Sequence, residues 1–433
     1  MRKKIAALIV TLVCIVALLV TSCAPKEAAP TGRGGVTKPK SVTIVAFVDM
    51  TGPVRAMSYL GHVGYVTYWR WLNEEKGGID GVPINIVEFD TAYDVKRMRV
   101  GYEQYKKEML TCSAQGQSPF FDTFKEDLVR DKIPAFAVIG GSDAYLYPPT
   151  GWIYGCLNMA DNFAAYADWV LKNWKESRKP RVALLLGDYP GGRMPLFSPP
   201  YLQYKGLEVV ATELLPYRGL TSAADQLLRI TKAKPDYIFT TVIASQLIIC
   251  LKELRGMGIK LGPKAKGGDL EFIYSYGFDE ELMAAMVPED WDGLVVNSYM
   301  YDYRFYGKPG HEFLTLMIDK YRQYYNVPKD KFPSSIAGFV WGMVMAEAIK
   351  KAAEKVGWDK INSEAVGLYG YPNIKNLKSG GLAPPITLSK EDPRVQAGYL
   401  FRVYKDRSVE ILMEYTKQDW VFKWLDEHGY PIK

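Results

Sequence analysis

The chain has 433 residues, of which 48% are hydrophobic and 24% charged, with a formal net charge of +6. This composition is ordinary for a globular protein and excludes a largely disordered chain, a collagen-like fibre and a multi-span membrane protein; the length favours two domains or lobes over a single core. Three scattered histidines, His62, His311 and His428, form no pair at helical ligand spacing and accompany no G-x-S-x-G elbow, which argues against a multi-His zinc site and gives no sign of a serine-hydrolase triad.

Residues 1–22 read as a secretory signal. Arg2, Lys3 and Lys4 form a positive start, and an apolar run from Ile5 to Val20 follows, ending in Thr21-Ser22-Cys23. Val20-Thr21-Ser22-Cys23 looks like a bacterial lipobox, which implies cleavage before Cys23 and a diacylglycerol on its sulfur. The alternative is an uncleaved anchor, but 16 apolar residues fall short of the roughly 20 that span a bilayer. Cleavage removes three cations and no acid, so the net charge falls from +6 to +3. No dense Lys/Arg block remains, and no nucleic-acid partner is expected. Residues 23–41, rich in Ala, Pro, Gly and Lys, read as a flexible tether.

From residue 42 onward, β-branched runs alternate with helical patterns. Val42–Val48 reads as a buried strand, followed by a Thr51-Gly52-Pro53 turn and a helix stopped by Gly77-Gly78. Pro83–Phe89 and Lys132–Ile139 are further strands, with a helix over 93–110 between them. The rhythm restarts with a helix over 161–177 and strands at 181–187, 207–212, 237–242 and 271–276. Ser222 and Asp225 resemble a capping box with Asp in place of Glu. A strand is expected at 293–300, helices at 310–325 and 334–356, and a terminal hairpin from 386–389 and 399–414. Ile336, Val340, Val344 and Ala348 mark a core-facing stripe on the last helix. The βαβα order predicts an α/β fold with parallel sheets covered on both faces.

Several segments together carry a resemblance. They are Ile44-x-Ala-Phe-x-Asp49-Met-Thr51-Gly52-Pro53, Gly77-Gly78-Ile79-Asp80-Gly81-Val82-Pro83-Ile84 and Asp90-Thr91-Ala92-Tyr93-Asp94, then Lys132-Ile133-Pro134, Lys179-Pro180-Arg181-Val182-Ala183, Lys205-Gly206-Leu207-Glu208 and Lys234-Pro235-Asp236-Tyr237. In this order and spacing the chain resembles the branched-chain amino acid type (Leu/Ile/Val-binding-like) of ABC transporter substrate-binding lipoprotein, over nearly all of residues 42–415. The resemblance implies the type I periplasmic binding fold: two Rossmann-like lobes with parallel sheets, joined by three hinge crossings, with a solute in the cleft. Lobe one would comprise 42–160 and 298–375, and lobe two 161–297 and 376–433. Implied partners are a small-molecule solute (an amino acid, an amide, or an aliphatic or aromatic acid), ABC permease subunits, and the membrane through Cys23. The implied location is the outer face of the membrane. No cofactor, no metal and no catalysis are expected. An extracytoplasmic sensor of the same fold is the alternative, and an exported enzyme a more distant one.

Ligands of open parallel sheets bind outside the carboxyl ends of the strands, which restricts the candidates. After the first strand, Asp49, Thr51 and Gly52 bring small groups to a helix N-terminus that favours a carboxylate; the alternative is a plain β-to-α turn. The family holds the solute's carboxylate with hydroxyl and backbone groups in the region of 112–119. That points to Ser113 and Gln115, against a polar linker. It likewise places ligand-holding groups at Gly141 and Ser142. Tyr189 is expected as an aromatic lid, although Gly191 to Pro200 break up a region where a regular helix is usual. Thr241 and Tyr276, with Tyr274 nearby, complete the set. Glu271 falls at a strand start, away from the cleft, so the acidic partner of an α-ammonium is not evident.

Removal of the signal takes Cys14, and lipid would occupy Cys23, leaving Cys112, Cys156 and Cys250. Outside the cytoplasm a bridge is permitted. Cys112 and Cys156, near lobe-one loops, are the expected pair, contributing on the order of 4 kcal/mol. Cys250, within an apolar helix, is expected to be a buried free thiol.

Overall fold

Two β-sheets organise the unit Lys38–Lys433, and the chain passes between them three times. The computed structural model describes residues 37–138, 147–155, 159–278, 280–299, 320–321, 336–395, 397–416 and 418–432. Residues 1–22, read above as an export signal, together with Cys23, Gly141, Ser142 and Cys156, lie outside the described residues. Among the described residues no helix is long and apolar enough to cross a membrane.

The first sheet holds β1 (Val42–Val48), β2 (Ile84–Asp90), β3 (Met109–Gln115), β4 (Ala135–Val138) and β5 (Ile153–Gly155), in the order β2-β1-β3-β4-β5 and parallel throughout. Parallel pairing requires crossovers, and α1 (Arg55–Lys76), α2 (Val95–Tyr105) and α3 (Ser118–Arg130) supply them. β1 is buried on both faces, as a central strand of such a sheet must be. Ile44 and Ala46 pack with α1, whereas Val45 and Phe47 pack with Met98 and Tyr102 of α2 and Phe120, Phe121 and Phe124 of α3.

The second sheet holds β6 (Arg181–Asp188), β7 (Glu208–Pro216), β8 (Tyr237–Thr240), β9 (Glu271–Tyr274) and β10 (Val295–Ser298), all parallel. An antiparallel hairpin of β11 (Gly398–Val403) and β12 (Val409–Tyr415) joins it, giving the order β12-β11-β10-β9-β8-β6-β7. On one face lie α4 (Met159–Asn173), α5 (Pro199–Lys205) and, at the chain end, α9 (Val421–Glu427). α6 (Ala224–Lys232) and α7 (Ala244–Gly256) cover the other. α8 (Ile336–Val356) returns to the first sheet, where it packs on α1. This is the expected two-lobed α/β fold.

The helices α1 and α8 approach unusually closely. A Cβ at Gly338 would fall 1.7 Å from the carbonyl oxygen of Gly61, so only glycine permits this approach.

The crossings follow Gly155, Ser298 and Val395. The first and third are bonded to each other: the Gly155 N–H donates to Pro393 O (3.1 Å) and the Val395 N–H to Gly155 O (2.8 Å). Beside them Arg394, almost fully buried, donates to Asp161 of α4 (2.5 Å) and to Asp392 (2.8 and 2.9 Å), and its guanidinium lies 4.5 Å from the centroid of Trp420. The second Asp161 oxygen accepts the Val421 N–H at 2.8 Å. Burial pushes the Asp161 carboxyl above the usual range, while Arg394 and the Val421 N–H pull against that shift.

The structure departs from the sequence reading in four places. The segment after the helix expected over 93–110, read as a ligand-holding loop with a polar linker as the alternative, begins within the central strand β3; its Thr111, Ser113 and Gln115 are fully buried. The first lobe's packing runs past residue 375, because Ile374, Leu382, Ile386, Leu388 and Val395 share the core of α1 and α8. Consequently 386–389 is no part of the terminal hairpin; Ile386 instead forms an isolated bridge with Leu377.

Finally, Cys112 is a free, buried thiol, which corrects the expected Cys112–Cys156 bridge. Cys112 pairs with Ala135 of β4, which pairs with Ile153 of β5. Cys250 is the buried free thiol expected of it, and burial pushes both thiols up.

Candidate functional site

At the carboxyl edge of the first sheet, the polar groups after β1 are largely engaged in building the turn. Asp49, fully buried, accepts the N–H groups of Gly52 (2.5 Å) and Val54 (2.8 Å). Asp90, at the end of β2, accepts from the Met50 N–H (2.9 Å), the Thr51 hydroxyl (2.7 Å) and the Ala92 N–H (3.0 Å). Burial opposes ionisation of Asp90, but these hydrogen bonds and Arg97 hold its carboxyl below the usual range. Thr51 therefore lies at the edge as expected, with its hydroxyl committed to Asp90. Ser58 of α1 accepts the Asp49 N–H (3.2 Å) and donates to Gln115 O (2.8 Å), fixing the ends of β1 and β3 to one helix.

Beyond β3, two buried amides stand on either side of Gly116, whose φ of 66° turns the chain into α3. Gln115 donates through Nε2 to Ser113 Oγ (3.2 Å), and Gln117 Oε1 accepts from Thr91 (2.7 Å). Gln115 Oε1 and Gln117 Nε2 have no hydrogen-bond partner among the described residues. Gln117 is the N-cap of α3 yet makes no side-chain cap bond, so the helix N-terminus has no side-chain cap. Ser113 lies two residues inside β3, beneath α1 and beside Tyr65. Of the two residues picked here, Gln115 stands at the strand end and Ser113 in the core. Gln117 was missed, since nothing in the sequence sets it apart from Gln115.

At the carboxyl edge of the second sheet, β6 ends at Asp188, which pairs with Arg193. Tyr189 follows. Its hydroxyl contacts the Thr241 carbonyl oxygen (2.7 Å) and the hydroxyl of Tyr276. The Thr241 hydroxyl accepts the Gly187 N–H (3.2 Å) and donates to Gly192 O (2.7 Å). The turn closes so tightly beneath the Tyr189 ring that a Cβ at Gly192 would fall 2.4 Å from Gly187 O. The irregular Gly191–Pro200 region noted in the sequence is thus a cradle for Tyr189, with a regular helix beginning only at Pro199. Tyr189, Thr241 and Tyr276 come together here; Tyr189 and Tyr276 are half-buried and Thr241 is buried.

The wall extends to Tyr217, 5.4 Å from Tyr189 between ring centroids, and to Tyr274, 5.7 Å from Tyr276. Arg218 lies 5.8 Å from the Tyr217 centroid. Tyr93, after β2 in the first lobe, is within electrostatic reach of Tyr217 and Arg218; burial first, and then Tyr217, Asp122 and Asp49, push its hydroxyl up to about 12. Tyr93 on one side and Tyr217 and Arg218 on the other thus bring the two strand edges near each other. Tyr93 could have been suspected from the Asp90–Asp94 segment alone, but Tyr217 and Arg218 carried no signal. Glu271 begins β9 at the opposite edge, 2.6 Å from Arg402, as expected.

A second polar seam runs at the base of the second sheet's edge. Tyr166 of α4 meets Ser275 (3.0 Å), Asn162 donates to Tyr299 (2.7 Å), and Tyr415 donates to Asn297 (2.6 Å).

A family profile described as "Periplasmic binding protein" matches residues 41–407. No curated protein matches the sequence. Among solved structures, a branched chain amino acid ABC transporter protein from Thermus thermophilus with bound valine superposes with a TM-score of 0.74 at 17% identity, covering 90% of this chain and 100% of that one. A fatty acid ABC transporter substrate-binding protein from Thermomonospora curvata gives 0.70 at 16%, covering 90% and 96%. A solute binding protein of an ABC transporter from Rhodopseudomonas palustris, in complex with 3,4-dihydroxybenzoic acid, gives 0.65 at 19%, covering 87% and 97%.

Proposed function

The chain belongs to the periplasmic binding protein family, and on that premise we propose that it is the extracytoplasmic solute-binding component of an ABC importer. It captures an amino acid or a related small carboxylate or amide in the inter-lobe cleft, and it works by binding and hinge closure, without chemistry. The observation that carries this reading is the pair of neighbouring strand edges, an α3 N-terminus without a side-chain cap in one lobe and a tyrosine wall in the other. The solutes named for the three structural neighbours, valine, a fatty acid and dihydroxybenzoic acid, share a carboxylate, and the helix end beside Gln117 suits that group. Gly141 and Ser142, after β4, would add to the same half-site. Cleavage before Cys23 and lipid on its sulfur would hold the protein at the membrane, within reach of permease subunits, with residues 23–41 as the tether.

A thermal-shift screen of the unit Lys38–Lys433 against amino acids, amides, and aliphatic and aromatic acids tests the proposal. A ligand at about 100 times its dissociation constant adds ~2.7 kcal/mol of stability, so a true solute raises the melting temperature visibly. Stabilisation only by compounds without a carboxylate or amide would sink the carboxylate reading.

A further inference from the structure

The direction of the hydrogen bonds in the tyrosine wall limits what the wall can recognise; this step rests on the reading of the cleft as the solute site. The Thr241 carbonyl can only accept, so the 2.7 Å contact with Tyr189 is donated by the Tyr189 hydroxyl. A phenol has one proton. The contact between the Tyr189 and Tyr276 hydroxyls must then be donated by Tyr276. The relay Tyr276 → Tyr189 → Thr241 O consumes both protons and leaves the Tyr276 oxygen with only lone pairs to offer. Burial keeps both phenols protonated, with Tyr276 pushed up to about 12 and Tyr189 well above its ordinary value. Its far end is locked in turn, because Thr241 is held by Gly187 and Gly192.

We infer that Tyr276 makes the lobe-two wall an acceptor surface, so that the solute group meeting it is a hydrogen-bond donor: a hydroxyl, a carboxamide N–H or an ammonium. Asp49, Asp90 and Asp188 do not compete for that donor, since Asp49 and Asp90 accept from the β1 and β2 turns and Asp188 is paired with Arg193. A solute carrying a carboxylate at one end and a donor at the other would span the two half-sites. A solute presenting a bare acceptor to Tyr276 would set two sets of lone pairs against each other, and a buried unmatched polar group is expected to weaken binding by roughly tenfold or more.

Titration calorimetry with matched probes tests this: 4-hydroxybenzoate against 4-methoxybenzoate for the hydroxyl, and L-phenylalanine against 3-phenylpropionate for the ammonium. In the wild-type chain the donor member of at least one pair should bind about tenfold tighter. Tyr276→Phe should erase that preference. Tyr189→Phe should also remove it for the benzoates, because Tyr276 would lose its acceptor and its O–H would be free to donate to the methoxy oxygen while its lone pairs still accept from the hydroxyl. The Phe ring keeps the packing against Gly187 and Gly192, so folding is not at stake. Equal binding within both pairs, tighter binding of the non-donor in the wild type, or a donor preference that survives Tyr276→Phe would overturn the inference while leaving a solute-binding protein. Absence of heat from all four probes, with other carboxylates or amides stabilising the protein, would also overturn it. If no compound of either class binds, the solute-binding reading itself fails, and the inference fails with it.

Discussion

Arg394 and Asp161 are both buried and form an ion pair at 2.5 Å, with Asp392 on Arg394 and the Val421 N–H on Asp161. Removing one partner of such a pair leaves an uncompensated charge, at a cost of about 3–5 kcal/mol. Arg394→Ala is expected to lose that much in urea unfolding, and the double variant Arg394→Met with Asp161→Asn to recover a large part of it. Asp236, at the opposite edge of the second sheet, illustrates a different balance. Burial opposes its ionisation, but Arg178, Lys264 and the Arg181 N–H overcome burial and hold its carboxyl at about 2, below its ordinary 3.8. A lowered carboxylate pKa stabilises the fold above the unfolded value and loses that contribution as pH falls through the folded one. Stability should drop by about 1–2 kcal/mol between roughly pH 4 and pH 2, and Asp236→Asn should flatten that part of the curve in pH-dependent denaturation. At this scale the sequence was a partial guide. It put Thr51, Tyr189, Thr241 and Tyr276 just beyond strand ends, because the βα rhythm locates those ends, but it put Ser113, which lies inside β3, there as well. It could not say which way each group turns: the Thr51 and Thr241 hydroxyls turn inward to close their own turns, and the Tyr189–Tyr276 relay depends on strands far apart in the chain.

Among the elements, the strands rich in Val, Ile and Leu were legible and β3 was not. Met-Leu-Thr-Cys-Ser-Ala-Gln has one β-branched residue, Thr111, and its polar positions suggest a linker. The polar side chains are nevertheless buried because partners await them on the α1 side: Tyr371 lies 2.9 Å from Thr111, and Tyr65 adjoins Ser113. The three-residue strand β5 and the terminal helix α9 were likewise invisible, one too short for a period and the other held by packing of Val421, Phe422 and Leu425. The stripe on α8 was read correctly at Val340, Val344 and Ala348, but not the reason for its glycines. Gly338 has no room for a methyl group against Gly61, and Gly342 has only 2.6 Å to the ring of Tyr68. Gly338→Ala should therefore force α1 and α8 apart and destabilise the chain by about 1–3 kcal/mol despite the better helix propensity of alanine. Chemical denaturation would show it, and a neutral or stabilising result would mean that the helices can separate without loss.

For the whole molecule, the alternation of β and α segments announced two parallel-sheet lobes, and the chain's three passages between them agree with that reading. The extent of each lobe was less legible, because residues 374–395 lack regular secondary structure and declare their lobe only through packing with α1 and α8. In the proposed mechanism these lobes close on a solute. The helices following the two lips, α2 after Tyr93 and α6 after Arg218, both carry exposed positions, Lys96 and Leu228. The most direct measurement is the pulsed-EPR distance between spin labels on cysteines introduced at those two positions, with Cys156 replaced by serine, taken with and without the most stabilising compound of the thermal screen. Closure predicts a shorter and narrower distance distribution when the compound is bound. An unchanged distribution at saturating compound would contradict a mechanism in which the lobes close on the solute.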